Sequence, residues 1–287
     1  MGFTMHRSVL PDDLIVGPRL AGDAGRHDLP TLMALGCIVY FITVMGHELL
    51  GHGVVMALSG IRSFVLTSTS IDGTDPSEFA DYASATGRAI VMAGSAFNVL
   101  LAALVAAVLS SRRNWAGAPV LQLGLRLLVT VNLSLGLVYL LFSAIFGVGD
   151  WAVAIDGLPH QGLLRSIEIL IGLAGLYLSA RIMGGWLRDY SGKPAILVWA
   201  PYLASVVAFC AIGSRVPDPY IILISVFPAP ILGQSALILA PLFVRDGSPG
   251  LGAASAIRIG RSWPAIGLAA SCLVATWLVA PGVAFRL

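Results

Sequence analysis

Charge is what this sequence has least of. Acidic and basic residues fill only 11% of its 287 positions, against roughly 25% in ordinary soluble domains, too few to cover a water-facing surface of this size. Cysteine is equally sparse. Cys37, Cys210 and Cys272 all fall inside apolar stretches, without metal-type spacing, and read as plain core residues. The net charge of +2 argues against a nucleic-acid partner. Residues 1–29 do not read as a cleavable signal peptide, because their apolar runs are short and interrupted by Asp12, Asp13, Asp23 and Asp28. Neither a low-complexity tract nor a convincing repeat between the halves is present.

Apolar residues are what the chain has in excess. They make up 57% of it, with a mean hydropathy of +0.88, and they lie in long blocks. A bilayer-spanning helix needs about 20 mostly apolar residues. Blocks near 31–57, 89–110, 118–147, 163–186, 194–212, 220–244 and 263–284 meet that need, the fourth being shortened by Glu168 and Arg181. Backbone facing lipid must satisfy its own hydrogen bonds, so these blocks imply helices. The expected fold is an all-α integral membrane protein, a polytopic bundle of about seven transmembrane helices in contact with the lipid bilayer. Arg7, Arg19, Arg26, Arg112, Arg113, Arg188, Lys193, Arg245, Arg258 and Arg261 then share one side, with the N-terminus. The positive-inside rule makes that side cytoplasmic; the expected setting is a bacterial cytoplasmic (inner) membrane.

The longest polar stretch, 59–88, opens with the β-prone run Ser63-Phe64-Val65-Leu66-Thr67-Ser68-Thr69 and continues into the turn-rich Asp72-Gly73-Thr74-Asp75-Pro76. It reads as a short β-prone loop, a hairpin or an interfacial flap. Pro228 and Pro230 mark a possible break in the sixth span. Trp151, Trp186 and Trp263 sit near helix ends as interfacial anchors, and Arg126 is placed to snorkel. Tyr40, Tyr139 and Tyr177 fall mid-span and read as core.

Chemistry concentrates where the first span ends, in Met45-Gly46-His47-Glu48-Leu49-Leu50-Gly51-His52-Gly53. One histidine in an apolar helix is often a satisfied core residue. Two histidines and a glutamate within six residues point to a site, because intramembrane ionisable groups are costly and usually functional. The familiar helical zinc motif is His-Glu-x-x-His, with both imidazoles on one face and the glutamate as general base. Here the spacing is one residue longer, and on a regular α-helix it turns the second imidazole about 140° away from the first. A single π-bulge would absorb the extra residue, and Gly46, Gly51 and Gly53 would ease it.

The letters His47-Glu48-Leu49-Leu50-Gly51-His52 are similar to the expanded zinc motif of the dipeptidyl peptidase III family, over six residues only. A broader order resembles the site-2 proteases, intramembrane metalloproteases of the M50 type. It comprises the motif at 47–52, the β-prone loop, then Ala93-Gly94-Ser95-Ala96-Phe97-Asn98, then Asn132 and Asp150, and covers roughly residues 30–157. The Asn-x-x-Pro stretch usual before the aspartate is missing. This resemblance implies Zn2+ held by His47, His52 and Asp150, with Asp156 and Glu168 as alternative third ligands. It makes Glu48 the catalytic base and Asn98 and Asn132 the substrate-binding residues. Asp150 is the favoured third ligand, because it directly ends a long uncharged helix; the alternative is that it merely caps the next one. His160 reads as a loop residue or part of a proton relay.

The implied organisation is an N-terminal polar segment (1–29), a metalloprotease-like membrane core (30–157) and additional transmembrane helices (158–287). The implied activity is zinc-dependent cleavage of a peptide bond in or near a transmembrane segment of a membrane-protein substrate. Two other classes fit the same residues: a degenerate relative serving as an accessory subunit, in which Glu48 is dispensable, and a metal or ion transporter.

Overall fold

A computed structural model describes residues 26–78, 81–111, 115, 117–244 and 257–287. Most of the expected N-terminal segment, with Arg7 and Arg19, lies outside the described residues, as do Arg112, Arg113 and Arg245. Six described helices are long and apolar enough to cross a membrane. They are α1 (Leu29–Leu58), α2 (Ala85–Ser111), α3 (Pro119–Phe146), α5 (Gln161–Leu187), α6 (Pro194–Gly213) and α7 (Pro219–Phe243). A short α4 (Asp150–Ile155) lies between α3 and α5. The last helix, α8 (Trp263–Val279), has 17 residues.

Among the described residues the full-length spans number six, and the seventh expected one is the shorter apolar helix α8. The seventh expected span starts as anticipated but ends early. Pro281 cannot donate a helical hydrogen bond and Gly282 adopts φ +98°, a left-handed conformation. The chain beyond becomes a strand, β3 (Val283–Arg286), beside β1 (Ser63–Leu66), while β2 (Ile71–Gly73) pairs with the other edge of β1. All pairings are antiparallel, with Val65 opposite Asp72 on one side and Ala284 on the other. The β-prone loop is thus a hairpin extended by the C-terminal segment, and the fold is mostly rather than wholly helical.

Local chemistry sets the helix starts. Asp28 caps α1, its carboxylate accepting from the Thr31 N–H at 3.0 Å, with Pro30 at the first turn. Ser262 caps α8. The two caps meet: the Ser262 N–H donates to Thr31 Oγ1 at 2.9 Å and Arg261 pairs with Asp28 at 2.6 Å. At the far end β3 joins β1. α8 therefore lies along α1 from one end to the other.

α1 and α3 form the centre, each with 72% of its most apolar window buried, whereas α2, α6 and α7 have 33%. The outer helices show Leu100, Leu104, Leu170, Val207 and Leu223 more than half exposed. Apolar exposure on that scale belongs to a lipid-facing surface, and with the six spans it marks a multi-pass membrane protein. Arg126 does not snorkel. It is buried and held by Asp189 at 2.6 Å, by the Trp186 carbonyl at 3.2 Å, and over the rings of Trp186 and Tyr190.

Residues 158–287 are not a separate layer. α5 packs along α3, α8 along α1, and α7 reaches the hairpin, where Ser225 Oγ donates to the Thr69 carbonyl at 3.2 Å. α7 is broken as its prolines suggested: a π-turn at Ile222–Val226 precedes Pro228, and a second break falls at Gly233–Gln234.

Candidate metal centre

The extra residue between the histidines is absorbed as the spacing requires. Within α1 the segment Gly46–Gly53 is π-helical. The imidazoles of His47 and His52 end up neighbours, with ring centroids 4.8 Å apart and planes at 76°. Both are buried, as is Glu48. The widened turn needs a close neighbour, and α2 supplies it with its own glycine. A Cβ on Gly51 would stand 2.6 Å from the Gly94 Cα, and one on Gly94 would collide with Nε2 of both histidines. Gly94 thus leaves open the space that the two imidazoles share.

Asp150 arrives from the opposite side. α3 ends at Gly147, whose N–H bonds to the Ser143 carbonyl at 2.9 Å, and Gly149 takes φ +82°. This turn sends Asp150 back over the π-turn. Its Oδ2 stands 3.5 Å from His47 Nε2 and 3.3 Å from His52 Nε2. Asp150 does not cap α4: Gly149 holds the N-cap position and no side-chain cap bond forms. Arg88 secures the far end of α4 by donating to the carbonyls of Ala154 and Asp156, and Trp151 Nε1 donates to Ser95 Oγ at 3.0 Å.

The remaining ring nitrogens decide what these three atoms can do. His52 Nδ1 lies 2.7 Å from the Ile90 carbonyl. A carbonyl only accepts, so Nδ1 carries the proton and the neutral ring offers its Nε2 lone pair inward. Behind His47, Asn98 Nδ2 stands 3.0 Å from Nδ1, while Asn98 Oδ1 is buried without a partner. A half-turn of that amide lets Oδ1 accept from a His47 Nδ1–H, fixing the same tautomer. Two lone pairs and a carboxylate oxygen then face one another, an arrangement that suits a bound cation. This buried His47–His52–Asp150 group could hold a metal ion. Among the described residues, Asp156 and Glu168 take no part in it.

Comparison with protein-family models, with curated proteins and with solved structures gave no match.

The group opens into a cavity of about 180 Å3. Glu48 lines it, with the Ile71 backbone N–H of edge strand β2 facing its carboxylate. Asp72 stands at the rim, where burial lifts its carboxyl above the ordinary range against the opposing pull of Ser70 and His52. Asn98 and Asn132 do not line the cavity. Asn98 reaches the site from behind His47, while Asn132, fully buried, donates to Thr43 Oγ1 at 2.8 Å and to the Leu128 carbonyl at 2.9 Å. Both serve the framework, as interhelical amides commonly do. His160, in left-handed backbone (φ 60°) before α5, is no part of the cavity wall.

Three contributors were missed from sequence: Tyr139, the hairpin tip at Thr69–Ser70, and the π-turn of α7 with Ile224 and Ser225. Two of them carried a signal: Tyr139 lies on the helix that leads to Asp150, and Ile224 and Ser225 lie just before Pro228, where the sequence marks a break.

Proposed function

We propose that this chain is a membrane-embedded zinc peptidase of the site-2 protease type, hydrolysing a peptide bond in or near a membrane-spanning segment of another protein. The observation that carries this reading is the convergence of His47 Nε2, His52 Nε2 and Asp150 Oδ2 beside a buried glutamate. Zinc ligands about 2.0–2.2 Å from the ion at tetrahedral angles lie roughly 3.3–3.5 Å from one another. The Asp150 oxygen stands 3.5 and 3.3 Å from the two imidazole nitrogens. Two imidazoles and one carboxylate also form a usual ligand set for catalytic zinc, leaving a fourth position for chemistry.

When bound, zinc supplies Lewis acidity, which brings the ionisation of water down toward neutral pH. Glu48 takes the proton of the attacking water and delivers it to the leaving amine. Asn98 and the Ile90 carbonyl hold the two imidazoles. A second cleft favours a membrane-borne substrate. It is lined by Phe142, Phe146, Leu223, Ile224, Phe227 and Pro228 among others, and shares Ile224 with the cavity. The cleft gives an apolar segment a place to lie beside the cavity.

The test is Glu48→Gln in purified, zinc-loaded protein acting on fluorescein-labelled casein. Loss of a general base is expected to cost about 10²–10⁴-fold in kcat with zinc content unchanged. Equal turnover in the variant would remove the peptidase reading and leave the metal a structural role.

A further inference from the structure

Amide hydrolysis places negative charge on the carbonyl oxygen, and catalysis needs a hydrogen-bond donor aimed at it. The two asparagines expected to supply it are spent elsewhere, one on His47 and one on Thr43. Of the other cavity hydroxyls, Ser225 donates to the Thr69 carbonyl and Ser70 bonds to Thr67 at 2.9 Å, while Thr69 Oγ1, at the hairpin tip, is buried without a partner.

Tyr139 is placed differently. It lines the cavity beside Glu48 and Asp150. Its ring packs edge-on against His47, with centroids 6.1 Å apart and planes at 87°. Its phenolic oxygen lies against the turn that carries Asp150, while its ring braces His47. The phenol has an O–H to give. The turn before Asp150 is cut to fit it: a Cβ on Gly149 would stand 2.6 Å from Tyr139 Oη and 3.1 Å from Cζ.

We infer that Tyr139 is a catalytic residue, its O–H donating to the carbonyl oxygen of the scissile peptide as that oxygen becomes an anion. This inference rests on the peptidase reading. In the step, the water oxygen bonds to the carbonyl carbon and the carbonyl π pair moves onto its oxygen, where the Tyr139 O–H holds it without transferring its proton. The pair then returns, the C–N bond breaks, and the amine leaves with the proton carried by Glu48. No electron is gained or lost overall.

Tyr139→Phe removes one oxygen and keeps the ring on His47. Two readouts are taken from zinc-loaded protein: casein hydrolysis, and binding of a peptidyl phosphinate, whose tetrahedral anion mimics the hydrolytic intermediate. The expected result is a fall in kcat of about 10²–10³-fold, the loss typical of a deleted oxyanion donor. KM and zinc content should not move, and phosphinate binding should weaken by at least tenfold. Unchanged kcat and phosphinate affinity in Tyr139→Phe, with Glu48→Gln inactive, would overturn the role of Tyr139 and leave the peptidase reading standing. Wild-type turnover indifferent to Glu48→Gln would end both. Zinc lost from Tyr139→Phe would also overturn the inference, by making the hydroxyl a support for Asp150.

Discussion

Asn98 shows how one buried amide can decide the state of a candidate metal ligand. Its side chain is fully buried, faces His47 Nδ1, and has an oxygen with no other partner. An acceptor at that position fixes the proton on Nδ1 and turns the Nε2 lone pair toward Asp150. Asn98→Asp, which can only accept, should keep zinc affinity. Asn98→Leu, which can do neither, should weaken it about 10–100-fold, the usual cost of losing such a support. Competition against a fluorescent chelator measures both, and equal affinities in the two variants would refute this role. At the same scale Gly94 matters for what it lacks, since any side chain there would occupy the space between the imidazoles.

The π-turn is the element on which the site depends. A regular α-helix through Gly46–Gly53 would point one histidine away from Asp150; the widened turn, packed on the bare backbone of α2, brings it back. Leu50 faces outward, 57% exposed, so the turn can be edited without cutting the core. Deleting Leu50 restores the ordinary four-residue spacing on an α-helix and should preserve one zinc per chain. Inserting an alanine after Leu50 should abolish binding. Metal analysis of the two purified variants decides, and loss in the deletion with retention in the insertion would contradict the geometry.

The π-turn was also the most legible element in the sequence, because two histidines and a glutamate have no place in an apolar helix unless they are brought together. Asp150 was legible for a related reason, as the first charge after a long uncharged run. The cavity's other wall was not, since Ile224, Ser225 and Thr69 look like ordinary span and loop residues until tertiary packing sets α7 against the hairpin. Tyr139 was read as core because mid-span position alone does not separate a packed ring from one whose oxygen reaches a cavity. β3 was lost inside an apolar run, where only Pro281 and Gly282 mark the end of the helix.

For the molecule as a whole, helices exposing leucine to lipid are tied at one end by a small polar clamp. His27 lies at its centre: Nε2 donates to the Ser191 carbonyl at 2.6 Å and Nδ1 accepts from the Ile259 N–H at 3.1 Å. The second bond needs the neutral ring, because a protonated Nδ1 has no lone pair to accept with. Burial lowers its pKa below 6.5, against the pull of the Ser191 carbonyl and with added repulsion from Arg258. Around pH 6 the unfolded chain therefore binds more protons at this position than the folded one. The stabilisation is present above about pH 6.5 and is lost as pH falls through the lowered value. Thermal unfolding in detergent should shift to lower temperature on acidification, and His27→Gln should flatten that dependence. An identical pH slope in the variant would show that the clamp does not sense protons through His27.

The central claim is that His47, His52 and Asp150 hold zinc. Metal analysis of detergent-purified protein, wild type beside His47→Ala and Asp150→Ala, tests it most directly. The account predicts about one zinc per chain in the wild type, as a three-ligand site would hold, and none in either variant. A wild type that takes up no zinc when supplied with it, or an Asp150→Ala protein that keeps its metal, would contradict it.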